Sequence, residues 1–83
     1  MTSQHVYTLT QATNERTGHL TYAVLYNGQP LMASTPDKSR AVALLSQQLA
    51  LADRRNLRPV VQDWDGDTGT LRVRPLAGIT VRA

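Results

Sequence analysis

Along residues 20–56 the spacing of apolar positions changes once, from alternation to a helical repeat, and that change predicts the fold class. Leu20, Tyr22, Val24 and Tyr26 alternate with Thr21, Ala23 and Leu25, the period-two pattern of a strand whose two faces meet different surroundings. Asn27-Gly28 follows. These two residues tolerate the positive φ that a type I′ turn requires at both centres, so they predict a hairpin. The turn sets a register in which Tyr26 faces Gln29, Val24 faces Leu31 and Tyr22 faces Ala33. Pro30 then lies opposite Leu25 without an N–H to donate outward, which suits an edge strand over 29–33. Leu31 joins Tyr22 and Tyr26 on one face, with Leu25 and Met32 on the other.

From Thr35-Pro36-Asp37 onward the repeat is helical, reaching Asn56. Threonine is expected to cap the free N–H groups, proline to take the first helical position and aspartate to meet the positive end of the dipole. Ala41, Val42, Leu44, Leu45, Leu49, Leu51 and Ala52 share one broad half of the wheel, and Ser46, Gln47, Asp53 and Arg54 the other. Arg54 and Arg55 fall in the last turn and Asn56 supplies a left-handed stop.

Strands are also expected at 6–11, 19–26, 58–64 and 70–74, with polar breaks at Asn14–Gly18 and Asp65–Gly69. In the last strand Leu71 and Val73 are expected to face inward, with Thr70, Arg72 and Arg74 outward. Pro75 ends it, and Ile79-Thr80-Val81 offers a short sixth strand or an ordered tail. The order β-β-β-α-β-β predicts an α+β, two-layer fold, an antiparallel sheet of four to five strands packed on one helix. A chain of 83 residues makes one domain, 1–83.

Composition narrows the chemistry. With no cysteine, disulfides, thiol nucleophiles and Cys-ligated metals are excluded. The net charge is +3, carried by eight arginines and one lysine, which permits an acidic protein face or a nucleic acid as partner. No leader-like or membrane-length apolar run is present, so a cytoplasmic protein is expected.

Motifs of catalysis are sparse. Asp63-Trp64-Asp65-Gly66-Asp67 places carboxylates alternately, as a calcium loop begins, but Thr68 and Arg74 stand where glycine and the bidentate glutamate belong. A hairpin with solvated aspartates is the plainer account. His5 and His19 have no metal-ligand spacing, no serine sits in a nucleophile elbow, and the glycines form no phosphate cradle. A non-enzymatic protein without cofactor or metal is expected.

The arginines carry the functional reading. Arg54, Arg55 and Arg58 gather at the helix end, and alternation points Arg72 and Arg74 to one face. If that face is the open side of the sheet, Trp64 or Tyr7 could serve as stacking platforms for single-stranded bases. Outward arginines that merely keep strands soluble are the competing account. Tyr26 and Trp64 are candidate aromatic anchors for a protein partner, because Arg, Tyr and Trp dominate interface energetics. A free edge at the third strand also allows self-association by strand pairing.

A first strand, the Asn14-Glu15-Arg16-Thr17-Gly18 break, a strand ending in Tyr26-Asn27-Gly28, a helix through Ala41, Ala43, Ala50 and Ala52, and a closing hairpin complete the order. In architecture and turn placement this resembles some small anti-CRISPR proteins of phages and mobile elements that act on type I interference complexes. The resemblance implies a non-enzymatic inhibitor that occupies a surface of a Cas protein complex in a bacterial host. Many such proteins are acidic DNA mimics, whereas this chain is basic, which points to an acidic or mixed protein face. No functional residue carries over. The alternative is a small nucleic-acid-binding module using the same arginines.

Overall fold

The computed structural model describes residues 4–74. Their elements run β1 (Val6–Thr13), β2 (Leu20–Tyr26), β3 (Gln29–Pro30), α1 (Lys38–Arg54), β4 (Val60–Asp65) and β5 (Thr70–Arg74). The architecture is α+β: one helix on a five-stranded sheet of order β3-β2-β1-β4-β5. The expected sixth strand at 79–81 lies outside the described residues.

The sheet is mixed, not antiparallel. β1 pairs antiparallel with β2, β2 with β3 and β4 with β5, but β1 and β4 run parallel. The helix is the cause. Its 17 residues span about 25 Å, enough to carry the chain from the far end of the sheet back to the start of β1. There the Val60 amide donates to the His5 carbonyl at 2.8 Å.

The hairpin forms as its residues dictate, with Asn27 at φ 51° and Gly28 at φ 84°, the conformation of a type I′ turn. Leu25 pairs with Pro30 and Tyr26 with Gln29, and β3 is an edge. Beyond Leu31 the expected register fails. The Leu31 amide still donates to the Val24 carbonyl, but Tyr22 exchanges hydrogen bonds with Thr35 and not with Ala33. Two extra residues are therefore accommodated between the pairs. The irregularity turns Met32 against the core while Leu31 stays exposed, reversing their expected places.

At its start the helix is capped by Asp37, not Thr35. The Asp37 carboxylate accepts from the Ser39 amide at 3.0 Å, and the Thr35 hydroxyl accepts from the Asp37 amide one step earlier. An Asp37→Ala variant is expected to lose about 1 kcal/mol of stability, read as a lower urea midpoint at unchanged slope. At the other end Asn56 takes φ 58°. The Leu57 amide reaches back to the Ala52 carbonyl and the Asn56 amide to that of Asp53, both at 3.0 Å, closing a Schellman motif.

Ala41, Leu45, Leu49 and Ala52 are the helix residues that are buried, with Leu44 partly so. Val42 and Leu51, expected on the covered half, are 40% and 41% exposed, so the contact stripe is narrower than the apolar arc. The helix rests on Tyr7, Val24 and Val61; the register sets Tyr7 between Val61 of β4 and Tyr26 of β2, with Val24 beside Leu9, the next residue on that face of β1. Alternation puts Thr8, Thr10, Ala23, Leu25 and Trp64 on the opposite face, which no element among the described residues covers. Leu71 and Val73, expected inward, belong to that open face and are 51% and 64% exposed. Arg72 pairs with Asp63 on the helix side. No helix among the described residues is long and apolar enough to cross a membrane.

Candidate functional site

Termination of the helix builds the basic end of the molecule. Arg54 ends the last turn, Arg55 is the C-cap, and the turn at Asn56 folds the half-buried Leu57 under the helix end while Arg58 emerges beyond it. All three arginines are exposed, and the negative end of the helix dipole favours cations here. Asp53 is the neighbouring carboxylate. Arg74 is placed by its backbone at the same end of the sheet, opposite Val61. The carboxylates of Glu15, Asp37, Asp65 and Asp67 belong to turns and the helix cap at the other end. Arg16, Lys38 and Arg40 stand among these carboxylates, so that end is close to neutral and the helix end is basic.

An aromatic cluster adjoins the arginines. The rings of Tyr7 and Tyr26 lie 5.0 Å apart at 46°, and His5 stacks on Tyr26 at 6.1 Å. The Tyr26 hydroxyl and His5 Nδ1 share a hydrogen bond of 2.7 Å. Burial pushes the Tyr7 hydroxyl above the usual tyrosine range and the neighbouring Tyr26 adds to this, while the nearby Arg55 charge opposes it. Tyr26, packed against Tyr7 at this end, is a half-buried member of the core boundary. It is a supporting wall and not a free anchor. His5, which holds that wall, carried no signal in the sequence beyond lying two positions before Tyr7 on the same face.

The remaining candidates are separated from this end. Arg72 lines a cleft of ≈ 560 Å³ on the helix side of the sheet, with Tyr22, Lys38, Asp63, Asp65 and Thr70. Lys38 Nζ lies 5.9 Å from the centre of the Tyr22 ring. The cleft exists because the helix covers β2, β1 and the start of β4 at Val61 but not the rest of β4 or β5. Trp64 is on the opposite face, 37% exposed, and Tyr7 is buried. The expected arginine stripe with stacking platforms does not form: Arg72 and Trp64 are on different faces, and Tyr7 has no free ring face.

The acidic segment is a structural clasp. The Gly66 amide donates to the Gln11 carbonyl at 2.7 Å. The Asp67 carboxylate accepts from the Thr13 amide at 3.0 Å and from the Thr13 hydroxyl at 2.5 Å. Asp65 Oδ1 accepts from the amides of Asp67 and Thr68. The hairpin is the one the plainer account expected, but its carboxylates also hold the turn to the end of β1.

The Thr13 bonds hold the Asp67 carboxyl below the usual carboxylate range. A depressed carboxyl adds stability above its unfolded-state value, and that stability is lost as pH falls through the folded value. The Thr13 amide resonance is therefore expected to titrate below the ordinary carboxylate range, and Asp67→Asn should abolish that inflection in an NMR pH series.

Comparison with protein-family models, with curated proteins and with solved structures finds no match to this chain.

Proposed function

We propose that this chain is a non-enzymatic accessory protein of a phage or mobile element that binds and blocks a protein partner in the bacterial cytoplasm. An anti-CRISPR inhibitor of a type I complex is its concrete form. The observation that supports the reading is the basic end, where Arg54, Arg55 and Arg58 stand exposed together with Asp53 as the neighbouring carboxylate. Such a surface complements an acidic or mixed protein face, steers encounter and fixes orientation. Arg74 belongs to the same end by strand pairing, and the His5–Tyr26–Tyr7 cluster gives the arginines a stiff base.

A nucleic-acid module is the weaker alternative. It needs stacking rings beside the cations, and the exposed Trp64 lies on the face away from Arg72.

The test is interference by a type I system in cells expressing the chain, alongside binding of the purified effector complex. The variant Arg54→Ala/Arg55→Ala/Arg58→Ala is expected to weaken binding by about 100-fold, some 2.7 kcal/mol, and to restore interference. Full inhibition by the triple variant, or none by the native chain, overturns the reading. A steep log-linear loss of DNA or RNA binding with salt, with no effector binding, would favour the alternative.

A further inference from the structure

We infer that the open face of the sheet is a dimerisation surface, covered by the same face of a second copy. This surface is separate from the basic end and does not depend on the function proposed for it.

Three observations support the inference. Among the described residues, the open face bears no formal charge, although the chain carries fifteen ionisable Lys, Arg, Asp and Glu residues, nine basic and six acidic. A charged partner would lose hydration against it without gaining a counter-charge. A second copy presents the same uncharged surface.

The relief of the face is self-complementary. Strand pairing aligns Ala23, Thr10, Trp64 and Leu71 in one row across β2, β1, β4 and β5. The bulky residues stand on the β4–β5 side and the small ones on the β2–β1 side. A two-fold axis lying in the face, parallel to the strands and midway between β1 and β4, reverses the row. Each Trp64–Leu71 ridge then seats on the other copy's Ala23–Thr10 shelf, and Val73 meets the other copy's Leu25. The same axis leaves the two sets of strands aligned, the arrangement that packed sheets adopt at about 10 Å separation. A two-fold contact of this kind closes on itself and does not propagate.

The area suffices for a modest dimer. Four strands, β2, β1, β4 and β5, at about 4.8 Å spacing and about five residues of paired length give a face of about 19 by 17 Å, to which the two-residue β3 adds nothing. Two such faces bury somewhat under about 1,000 Å² once side-chain relief is included, the size of a weak, reversible association. Dissociation on the order of 10 μM is expected.

The experiment is sedimentation equilibrium of the full chain over a roughly hundredfold concentration range spanning that value. Emission from the single tryptophan, Trp64, is followed in the same samples. The native chain is expected to pass from monomer to dimer, with Trp64 emission shifting to shorter wavelength and iodide quenching falling in step. Leu71 and Val73 are already exposed, so Leu71→Glu/Val73→Lys should keep the native circular dichroism while remaining monomeric with a quenchable Trp64. A chain monomeric throughout overturns the inference, including one whose Trp64 is sheltered at every concentration by residues 75–83. A dimer that persists in the double variant with Trp64 accessible also overturns it, and assigns association to a strand edge.

Discussion

Leu45→Ala is expected to destabilise the protein by about 3 kcal/mol, the largest single-residue effect in the molecule. Leu45 is 2% exposed and meets Tyr7, Val24 and Val61 through the helix–sheet contact. Truncation leaves a void beneath a helix whose ends are fixed by the Asp37 cap and the Asn56 turn, so the surroundings can collapse only in part. The buried side chains of the core are all apolar among the described residues, and no buried polar network takes over when packing is lost. A small domain has about 5–8 kcal/mol in total, so urea unfolding should begin near the native baseline. Leu51→Ala supplies the contrast. Leu51 is 41% exposed, and its removal should change stability by less than about 0.5 kcal/mol. Equal losses at both positions would mean that the helix face has been misassigned.

Gly66→Val is expected to cost about 2 kcal/mol. A Cβ at Gly66 would stand 3.3 Å from both the Ala12 Cβ and the Gln11 carbonyl oxygen. Neither can retreat easily, because β1 is paired on both sides along this segment. The hairpin must move instead, stretching the Gly66–Gln11 bond and the Asp67–Thr13 clasp. Valine adds two methyl groups to the conflict. Urea unfolding measures the loss, and faster exchange of the Gly66 and Thr13 amides would locate it. A variant as stable as the native chain would show that this turn stands away from β1.

Features governed by neighbouring residues were legible in the chain itself. Asn27-Gly28 needs no tertiary help to form its turn, and Asn56 followed by Leu57 closes the helix in the way their conformational preferences suggest. The cap was displaced by two residues because Thr35 is held by its pairing with Tyr22, leaving Asp37 as the first free acceptor. Long-range features were not legible. Nothing local in Val60–Asp65 indicates β1 as its neighbour or a parallel direction, since both follow from where the helix sets the chain down. The last strand shows why inward and outward could not be assigned by polarity. The helix does not extend over β5, so neither of its faces is a core. Arg72 enters the charged cleft with Asp63, and Leu71 and Val73 join the uncharged open face.

The candidate site divides along the same line. The grouping of Arg54, Arg55 and Arg58 follows from one helix end and was visible in sequence. Whether Arg72, Trp64 and Tyr26 join them depends on sheet faces, and only Tyr26 reaches that end, as a half-buried support.

The arrangement of faces is the claim on which both proposals rest: the helix covers Tyr7, Val24 and Val61, and Trp64, Leu71 and Val73 are on the other side. Nuclear Overhauser contacts of the Leu45 methyl groups test it most directly. The account predicts contacts from Leu45 to the methyls of Val24 and Val61 and to the Tyr7 ring. Contacts from Leu45 to the Trp64 indole or the Leu71 methyls would contradict it.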